Sequence, residues 1–448
     1  MGNNANNDHR GADDTNGANS ANGADANSAI VNMGAGYKNN VASSVSSISG
    51  CSDSGSRSSV AGGGSAKCGI ICEYNPFHNG HEYHLKKTRE LLGEDVKIIC
   101  VMSGDFVQRV APSFFDKRLR ARAAVDAGAD CVVELPFLYA TNGAERFSYG
   151  AVQVLSRIVG VKWLSFGVEG DIEVGVLNKI VDVQMDESDR FKGNLGRFLK
   201  AGYSFAAAKA RATAAEFGDD SERILGVLDR PNNVLAMEYL IAIKKLGLDI
   251  TPILIKRTDK GYNSLELKPP FASASAIRGL IENGQSFNDY VPKFVGDNFN
   301  KMSVDFKVFD AMARMALLRY EGDNAVLKKL KKAAQIHLDL DSIITSVKTK
   351  NMTYVSIKRL VLSTMCDITC EISAYKGDFF SKLLFMKKDF SKHLGDFSPH
   401  ILISSDDEKR VSASKKEAIQ IYKMDSLASD LYATITHNDA KRHFDKVF

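Results

Sequence analysis

Long hydrophobic runs are missing from this sequence of 448 residues. No stretch reaches the roughly 18 to 20 apolar residues that a membrane-spanning helix needs, and the N-terminus lacks the basic-then-apolar pattern of a signal peptide. The sequence therefore predicts a cytoplasmic protein with no membrane partner.

Paired cysteines and a strong charge excess are also missing. The seven cysteines form no CxxC motif, and four of them lie within or beside apolar segments, which favours reduced core thiols over a metal site. Lys and Arg number 58 against 54 Asp and Glu, a surplus too small for a general nucleic-acid coat but compatible with a local basic patch. Net charge thus neither indicates nor excludes an RNA partner.

The chain does contain enough apolar residues, 44% of the total, to bury a sizeable core, and its length favours two folded domains. Residues 1–66 are dominated by Asn, Ala, Gly, Ser and Asp, a composition typical of a disordered tail. Residues 67–294 are predicted to form the first domain. Helical periodicity prevails afterwards, so residues 295–448 are predicted to form a mostly helical C-terminal domain.

Within the first domain, short apolar segments rich in β-branched residues alternate with helical patterns, which predicts an α/β fold with a doubly wound parallel sheet. The predicted strands are KCGIICEY, VKIICVM, DCVVEL, KWLSFG and ITPILIKR. Helices are predicted at about residues 80–93, 113–127, 143–159 and 232–246, with a helical insertion at about 171–230.

The loop after the first predicted strand carries EYNPFHNGH at residues 73–81, which contains an HxGH signature. Ligands bind at this carboxyl edge of open α/β sheets, and the N-terminus of the following helix attracts phosphate. Gly80 lets a nucleotide approach the backbone, while His78 and His81 can donate hydrogen bonds to phosphate oxygens as charge builds there. The pattern predicts a site for a nucleoside triphosphate.

Two other interpretations of these histidines stay open. His78, His81 and His84 recur every three residues and could ligate zinc, although a Cys or carboxylate partner at a suitable spacing is missing and HEYH is not HExxH. They could also be ordinary surface or core histidines, although three stand within seven residues beside Asn-Pro and Gly. The phosphate site remains the favoured interpretation.

A second phosphate-binding segment is expected after the fifth strand, because a doubly wound sheet brings that loop beside the first. The segment SASAIR at residues 273–278 stands there. Ser273 or Ser275 can cap a helix and offer a hydroxyl, and Arg278 presents a guanidinium fork that matches phosphate oxygens. A solvated arginine beside an ordinary helix start is the alternative interpretation.

With these motifs, the chain resembles the bacterial tRNA(Met) cytidine acetate ligase family, a branch of the HxGH nucleotidyltransferases with a Rossmann-like fold. The resemblance extends over about residues 68–280. It rests on CEYNPFHNGHEYHL, MSGDFVQR, DKRLRARAAVDAGADCVVELPF, FGVE, GYSFAAAKARA, RPNNVLAMEYL and ASASAIR. The EYNPFHNGH form is much more diagnostic than HxGH alone.

The resemblance implies an enzyme that joins acetate to ATP as acetyl-adenylate and then acetylates N4 of the wobble cytidine of elongator tRNA(Met). His78, His81 and Arg278 would be catalytic and, with Mg²⁺, would share the charge that develops on the phosphates. The implied ATP-binding residues are Ile71, Cys72, Glu73, Tyr74, Asn75, Pro76, Phe77, His78, Asn79, Gly80, His81, Glu82, Tyr83, His84, Gly167, Asn232, Asn233, Arg257 and Ser275. The alternatives are a nucleotidyltransferase for a small phosphorylated metabolite and a catalytically decayed RNA-binding member of the family.

This chain departs from the family pattern at three places. Val110-Ala111 stands where the family usually has Gly-Glu, Val168 replaces the serine of FGSE, and Asn263 stands where a histidine is expected. The first change follows the loop 103–109, whose polar groups could orient acetate or the target base; a purely structural loop is the other interpretation.

In the C-terminal third, Lys348, Lys350, Lys358 and Arg359 could contact tRNA phosphates and gain affinity by counterion release. A solvated charged helix face is an equally good interpretation of these four residues. Because a wobble base lies in an unpaired loop, an enzyme can read its shape and exposed edge without opening a duplex.

Overall fold

A computed structural model describes residues 65–257, 269–298, 304–349 and 352–437. The predicted tail lies outside these ranges except for its last two residues, as do Lys350 and Asn263. In the described part of the chain, no helix is long and apolar enough to cross a membrane. The six described cysteines are free thiols, and Cys370 is exposed rather than buried in the core.

Seven strands form one sheet in the order β7-β6-β1-β2-β5-β8-β9, and β3 pairs with β4 in a small separate hairpin. The strands are β1 Lys67–Cys72, β2 Lys97–Ser103, β3 Phe106–Val107, β4 Ala111–Pro112, β5 Cys131–Leu135, β6 Val161–Val168, β7 Thr251–Lys256, β8 Ser381–Met386 and β9 Ile401–Leu402. The five predicted strands are all present and pair in parallel. The predicted doubly wound parallel sheet is therefore confirmed.

The strand order reverses between β1 and β6, because the chain runs from β1 to β2 on one side and returns to β6 on the other. This reversal opens a crevice at the carboxyl ends of the two strands, where open α/β sheets bind ligands. The apolar strands fill both faces of the sheet and contribute to two buried clusters, one on each side.

Eighteen α-helices cover the sheet and build the rest of the described chain. They are α1 Asn79–Leu92, α2 Lys117–Asp126, α3 Phe137–Ala140, α4 Ala144–Ser156, α5 Val174–Asp186, α6 Asp189–Lys200, α7 Phe205–Ala215, α8 Ser221–Leu228, α9 Pro231–Lys245, α10 Ala274–Glu282, α11 Lys293–Asp297, α12 Phe306–Arg319, α13 Ala325–Ile336, α14 Leu340–Val347, α15 Tyr354–Met365, α16 Cys370–Ala374, α17 Glu408–Ser412 and α18 Lys416–Thr436.

The C-terminal third is mostly helical, as expected, but it also adds two strands that the sequence analysis missed. β8 pairs antiparallel with β5 and thereby extends the sheet beyond its parallel part. The last helix of the described chain, α18, packs against α3 of the first domain. A domain boundary near residue 294 stays a prediction, and the sheet itself is built from chain on both sides of it.

Candidate active site

A cleft opens at the carboxyl ends of β1, β6 and β7, between the N-termini of α1 and α10. Its lining residues are Ile70, Ile71, Cys72, Glu73, Tyr74, Asn75, His78, Gly80, His81, Tyr83, His84, Gln108, Arg109, Phe147, Phe166, Gly167, Asn232, Leu235, Tyr239, Ile255, Lys256, Arg257, Phe271, Ala272, Ser273, Ala274, Ser275 and Arg278. The cleft therefore brings together the two segments that the sequence analysis proposed as halves of one phosphate site.

The HxGH spacing gives α1 a reciprocal N-terminal cap. His78 is the N-cap residue, and its Nδ1 accepts a hydrogen bond from the backbone N–H of Gly80 at 3.1 Å. Three residues later, Nδ1 of His81 accepts the backbone N–H of His78 at 3.2 Å. When either ring is neutral, its proton is therefore on Nε2, the nitrogen that can donate to a ligand.

The two imidazoles lie against each other, with ring centroids 3.6 Å apart and ring planes 26° from parallel. Gly80 makes this packing possible, because a Cβ there would stand 2.9 Å from Cε1 of His78. Burial, aided by the charges of His78 and Arg257, holds the pKa of His81 well below its ordinary value. At neutral pH His81 is consequently an uncharged hydrogen-bond donor.

His84 lines the same cleft but is fixed by a different strand. Its Nε2 lies 2.9 Å from Oγ of Ser165 on β6, and Oγ1 of Thr88 lies 2.7 Å from the same hydroxyl. Burial, with a further contribution from Arg257, lowers the pKa of His84 to about 4. His84 thus joins α1 to β6 as a neutral side chain.

Arg278 connects the two halves of the cleft. Its Nη1 donates to the backbone carbonyl of Asn75 at 2.7 Å, and its Nη2 donates to Oγ of Ser275 at 3.0 Å. Ser273 caps α10 by accepting the backbone N–H of Ala276 at 3.1 Å. The guanidinium is therefore held beside the histidine loop, although 203 residues separate Arg278 from Asn75.

Buried polar groups fix the loop that follows β1. Arg120 donates to the carbonyl of Glu73 at 2.6 Å and to that of Ser103 at 3.1 Å. The carboxylate of Glu73 accepts the backbone N–H of Gln108 at 2.6 Å. The loop 103–109 is thereby tied to the HxGH loop, and its Gln108 and Arg109 line the cleft.

A buried ion cluster holds the start of the same loop. Lys117 lies 3.0 Å from Asp105 and 2.8 Å from Glu134. Burial opposes ionisation of Asp105, but Lys117, together with the Ser429 hydroxyl and Arg120, outweighs burial and lowers the pKa of that carboxyl. Ser429 of α18 donates to Asp105 at 2.8 Å. These contacts favour the structural interpretation of Asp105, while the other end of the loop reaches the cleft.

The two candidate asparagines, Asn232 and Asn233, have different environments on the side of the cleft that β6 and α9 form. Asn233 is fully buried and its side-chain amide accepts the backbone N–H of Glu169 at 2.9 Å and donates to that residue's carbonyl at 3.1 Å. Asn232 lines the cleft and donates to the Glu169 carboxylate. Next to them, a Cβ on Gly167 would lie 3.4 Å from Cγ of Arg257, so the glycine leaves room for that arginine.

Most of the predicted ATP-binding residues line the cleft, but five do not: Pro76, Phe77, Asn79, Glu82 and Asn233. Asn79 instead donates to the carbonyls of Pro270 at 2.9 Å and Asp289 at 3.1 Å, which docks α1 on the second half of the site. The sequence analysis missed an apolar wall, because its members read as core residues of α4, β6 and α9. That wall consists of Phe147, Phe166, Leu235 and Tyr239.

Of the basic residues proposed for RNA contact, the three that the structure describes do not line the cleft. Arg359 donates to the carbonyl of Thr141 at 2.9 Å, and burial lowers its pKa to about 10. Burial also lowers the pKa of Lys358, and the nearby charges of Asp310 and Asp341 partly offset this effect of burial. Lys348 is exposed at the end of α14. Their role in RNA binding stays a prediction.

The family described as HIGH Nucleotidyl Transferase matches residues 66–446. The fold, the HxGH cap and this match define the chain as a HIGH nucleotidyltransferase. The tRNA(Met) cytidine acetate ligase of Thermoanaerobacter sp. (strain X514) is 35% identical over 393 residues, covering 83% of this chain and 96% of the relative. The chain therefore belongs to the tRNA(Met) cytidine acetate ligase family.

Other relatives agree with this assignment. The tRNA(Met) cytidine acetate ligase of Clostridium acetobutylicum is 36% identical over 327 residues, or 67% of this chain and 79% of the relative. The apo crystal structure of Thermotoga maritima TmcAL superimposes with a TM-score of 0.75 at 27% identity, covering 86% of this chain and 98% of that one. The crystal structure of Thermotoga maritima TmcAL bound with alpha-thio ATP gives a TM-score of 0.72 at 26% identity. That match covers 84% of this chain and 96% of the TmcAL chain.

Proposed function

We propose that the protein is an ATP-dependent acetate ligase that acetylates N4 of the wobble cytidine of elongator tRNA(Met). The observation that carries this proposal is the hydrogen bond between Arg278 and the Asn75 carbonyl, which joins the second segment to the stacked histidines at a helix N-terminus. A likeness to relatives named tRNA(Met) cytidine acetate ligase and to TmcAL bound with alpha-thio ATP supports it.

In the first step, an acetate oxygen attacks the α-phosphorus of ATP and the bond to the bridging oxygen breaks, so that pyrophosphate leaves and acetyl-adenylate forms. This chemistry needs positioning and charge stabilisation rather than a covalent nucleophile. The Nε2–H groups of His78 and His81, the N-terminus of α1 and the guanidinium of Arg278 would supply that stabilisation.

In the second step, N4 of cytidine attacks the acetyl carbonyl, AMP leaves and the amine loses a proton. The apolar wall of Phe147, Phe166, Leu235 and Tyr239 suits the flat face of a base ring. Among the described residues that line the cleft, only Glu73 carries a carboxylate. Mg²⁺ neutralises phosphate charge when bound, and with so few protein ligands it would be held mainly by the nucleotide, near Glu73.

The direct test incubates the protein with ATP, labelled acetate and tRNA, and follows pyrophosphate release together with label in RNA. ATP-dependent label in RNA is the expected result. Pyrophosphate exchange that requires a phosphorylated metabolite instead of acetate would favour a small-molecule nucleotidyltransferase. ATP binding without turnover would identify a decayed member of the family, and either outcome overturns the proposal.

Replacing His81 with alanine tests the assignment of the cleft. His81→Ala should lower acetate-dependent ATP–pyrophosphate exchange by about 100-fold or more, because it removes a preorganised donor and half of the α1 cap. Binding of tRNA should stay nearly unchanged, and so should both activities in His337→Ala, a control distant in sequence. Equal loss of exchange and tRNA binding in His81→Ala would count against the assignment.

A further inference from the structure

The helical insertion carries an uneven share of the positive charge. Residues 190–211 contain six Lys or Arg residues and no Asp or Glu, whereas the formal net charge of the whole chain is only +4. The six are Arg190, Lys192, Arg197, Lys200, Lys209 and Arg211. We call α6, α7 and the turn between them the insertion hairpin. Such a concentrated basic segment is typical of a surface that meets an anionic polymer.

Aromatic rings lie among these cations at the turn of the insertion hairpin. The rings of Phe198 and Tyr203 pack edge to face at 5.9 Å. The Arg197 guanidinium lies 4.9 Å from the centre of the Phe198 ring, and that of Arg211 lies 4.3 Å from the centre of the Tyr203 ring. Alternating rings and guanidinium planes form a platform on which unpaired bases stack.

The platform is open to solvent. Tyr203 is 41% exposed, Phe205 is 37% exposed and Leu199 is 41% exposed, which is unusual for large apolar side chains. Within the described ranges, no carboxylate pairs with Lys192, Arg197 or Lys200, whereas Arg190 has Glu216 at 3.6 Å. The exposed cations Lys192, Arg197 and Lys200 are thus available to bind an external anionic partner.

The insertion hairpin also stands next to the apolar wall of the cleft. Lys209 on α7 lies close enough to Glu145 and Glu238 for its charge to act on both carboxyls. Burial raises the pKa of Glu238 despite Lys209, whereas Lys245 and Lys209 together hold the pKa of Glu145 below its ordinary value against the effect of burial. Glu145 lies in the first turn of α4, which carries Phe147, and Glu238 precedes Tyr239 on α9. The insertion hairpin is thus close to the two helices that carry part of the apolar wall.

We infer that the insertion hairpin binds unpaired nucleotides of the tRNA anticodon loop, with bases stacked on Tyr203 and phosphates paired with Arg197 and Lys200. The identity of the RNA in this inference rests on the proposed function. The mode of binding rests on the exposed rings and cations of the platform. A protein partner would need acidic residues against the cations, and aromatic rings interleaved with cations favour single-stranded RNA.

The test measures the affinity of the full-length protein for an anticodon stem-loop RNA of elongator tRNA(Met). Tyr203→Ala should weaken binding by about 5- to 100-fold, because stacking of one base is lost, and Tyr203→Phe should bind as wild type does. The pair Arg197→Glu and Lys200→Glu should also bind weakly and should lower the slope of log affinity against log salt by about 1.4.

A matched charge-reversal control lies on α13, where Lys329 and Lys332 are also exposed but, among the residues that the structure describes, lie over no aromatic ring. Lys329→Glu with Lys332→Glu should change affinity by less than about 2-fold. Acetate-dependent ATP–pyrophosphate exchange, which needs no RNA, should be unchanged in every hairpin variant and shows that they fold.

Two results would overturn the inference: wild-type RNA affinity in Tyr203→Ala, which would leave the hairpin as a protein-docking surface, or an equal loss in the α13 control. The two proposals fail separately. Hairpin-dependent RNA binding without acetylation by the wild-type protein would reject the proposed reaction alone, whereas acetylation that ignores the hairpin variants would reject this surface alone.

Discussion

The three histidines that begin α1 have two different roles. Nδ1 of His78 and of His81 caps the helix, which fixes both rings over the cleft. His84 contacts Ser165 and joins the helix to β6. The i, i+3 spacing of a reciprocal cap was available from the sequence, and it explains why the HxGH motif predicted a site. The contact between His84 and β6 could not be predicted from the sequence, because it depends on how α1 packs on the sheet.

The depressed pKa of His84 predicts a specific loss of stability in acid. Its pKa is about 4 in the folded protein against an ordinary 6.5, so between these values the unfolded chain binds a proton that the folded protein does not. The free energy of unfolding should therefore fall as pH drops from about 6.5 to 4, by up to about 3 kcal/mol from this residue. Urea titrations across this range measure it.

His84→Gln is the comparison variant, because an amide can still bond to Ser165 but does not titrate. Its unfolding free energy should fall less steeply with acid than that of the wild type. Identical slopes for the two proteins would mean that folding does not change the pKa of His84.

The β3–β4 hairpin shows how one element adapts to an unusual residue. Phe106 pairs with Pro112 and Val107 with Ala111, which leaves a loop of three residues. The third, Val110, is buried and has φ 58°, a left-handed conformation that a β-branched residue rarely adopts. The family resemblance implies glycine at this position, and the left-handed backbone is one that glycine adopts without strain.

The stabilities of the Val110→Gly and Val110→Ala variants should rank opposite to the usual order, in which alanine is the more stable of the two residues. Both remove the buried side chain, but only glycine relieves the left-handed strain, so Val110→Gly should be more stable than Val110→Ala by about 1 kcal/mol. At an ordinary strand position glycine is less stable than alanine by a similar amount. Denaturant unfolding of both variants decides the matter, and a more stable alanine variant would show that Val110 is unstrained.

At the level of elements, hydrophobic pattern predicted the five parallel strands and the helices between them to within a few residues. β8 was missed because it stands among helical patterns in the C-terminal third, and only its pairing with β5 identifies it as part of this sheet. The sequence also could not distinguish the buried Asn233 from the cleft-lining Asn232, because the difference depends on contacts with a residue distant in the chain. Their difference lies in contacts with Glu169, 63 and 64 residues away.

Across the whole molecule, α18 supports the active-site loops from the far end of the chain. Ser429 receives a hydrogen bond from Lys117 at 2.9 Å and donates one to Asp105. The hydroxyl of Tyr432 donates to the carbonyl of Ser113 at 2.9 Å. The C-terminal third is thus bonded to the loop that reaches the cleft.

Ser429→Ala should lower the free energy of unfolding by about 1–3 kcal/mol, because it leaves an ammonium hydrogen and a carboxylate lone pair buried without a partner. Ser426→Ala on the same helix is the control. Within the described ranges its hydroxyl bonds to a carbonyl of its own helix and to no other group, so a change within about 0.5 kcal/mol is expected. Equal effects of the two substitutions in denaturant unfolding would contradict a bond between α18 and the loop.

The bond between Ser429 and Asp105 joins residues 324 positions apart. During translation, the histidine motif leaves the ribosome long before the helix that steadies its neighbouring loop. Copies that are truncated upstream of that helix would carry the signature without its support. Dependence on α18 would thereby restrict modification of RNA to enzyme molecules whose synthesis has passed this helix.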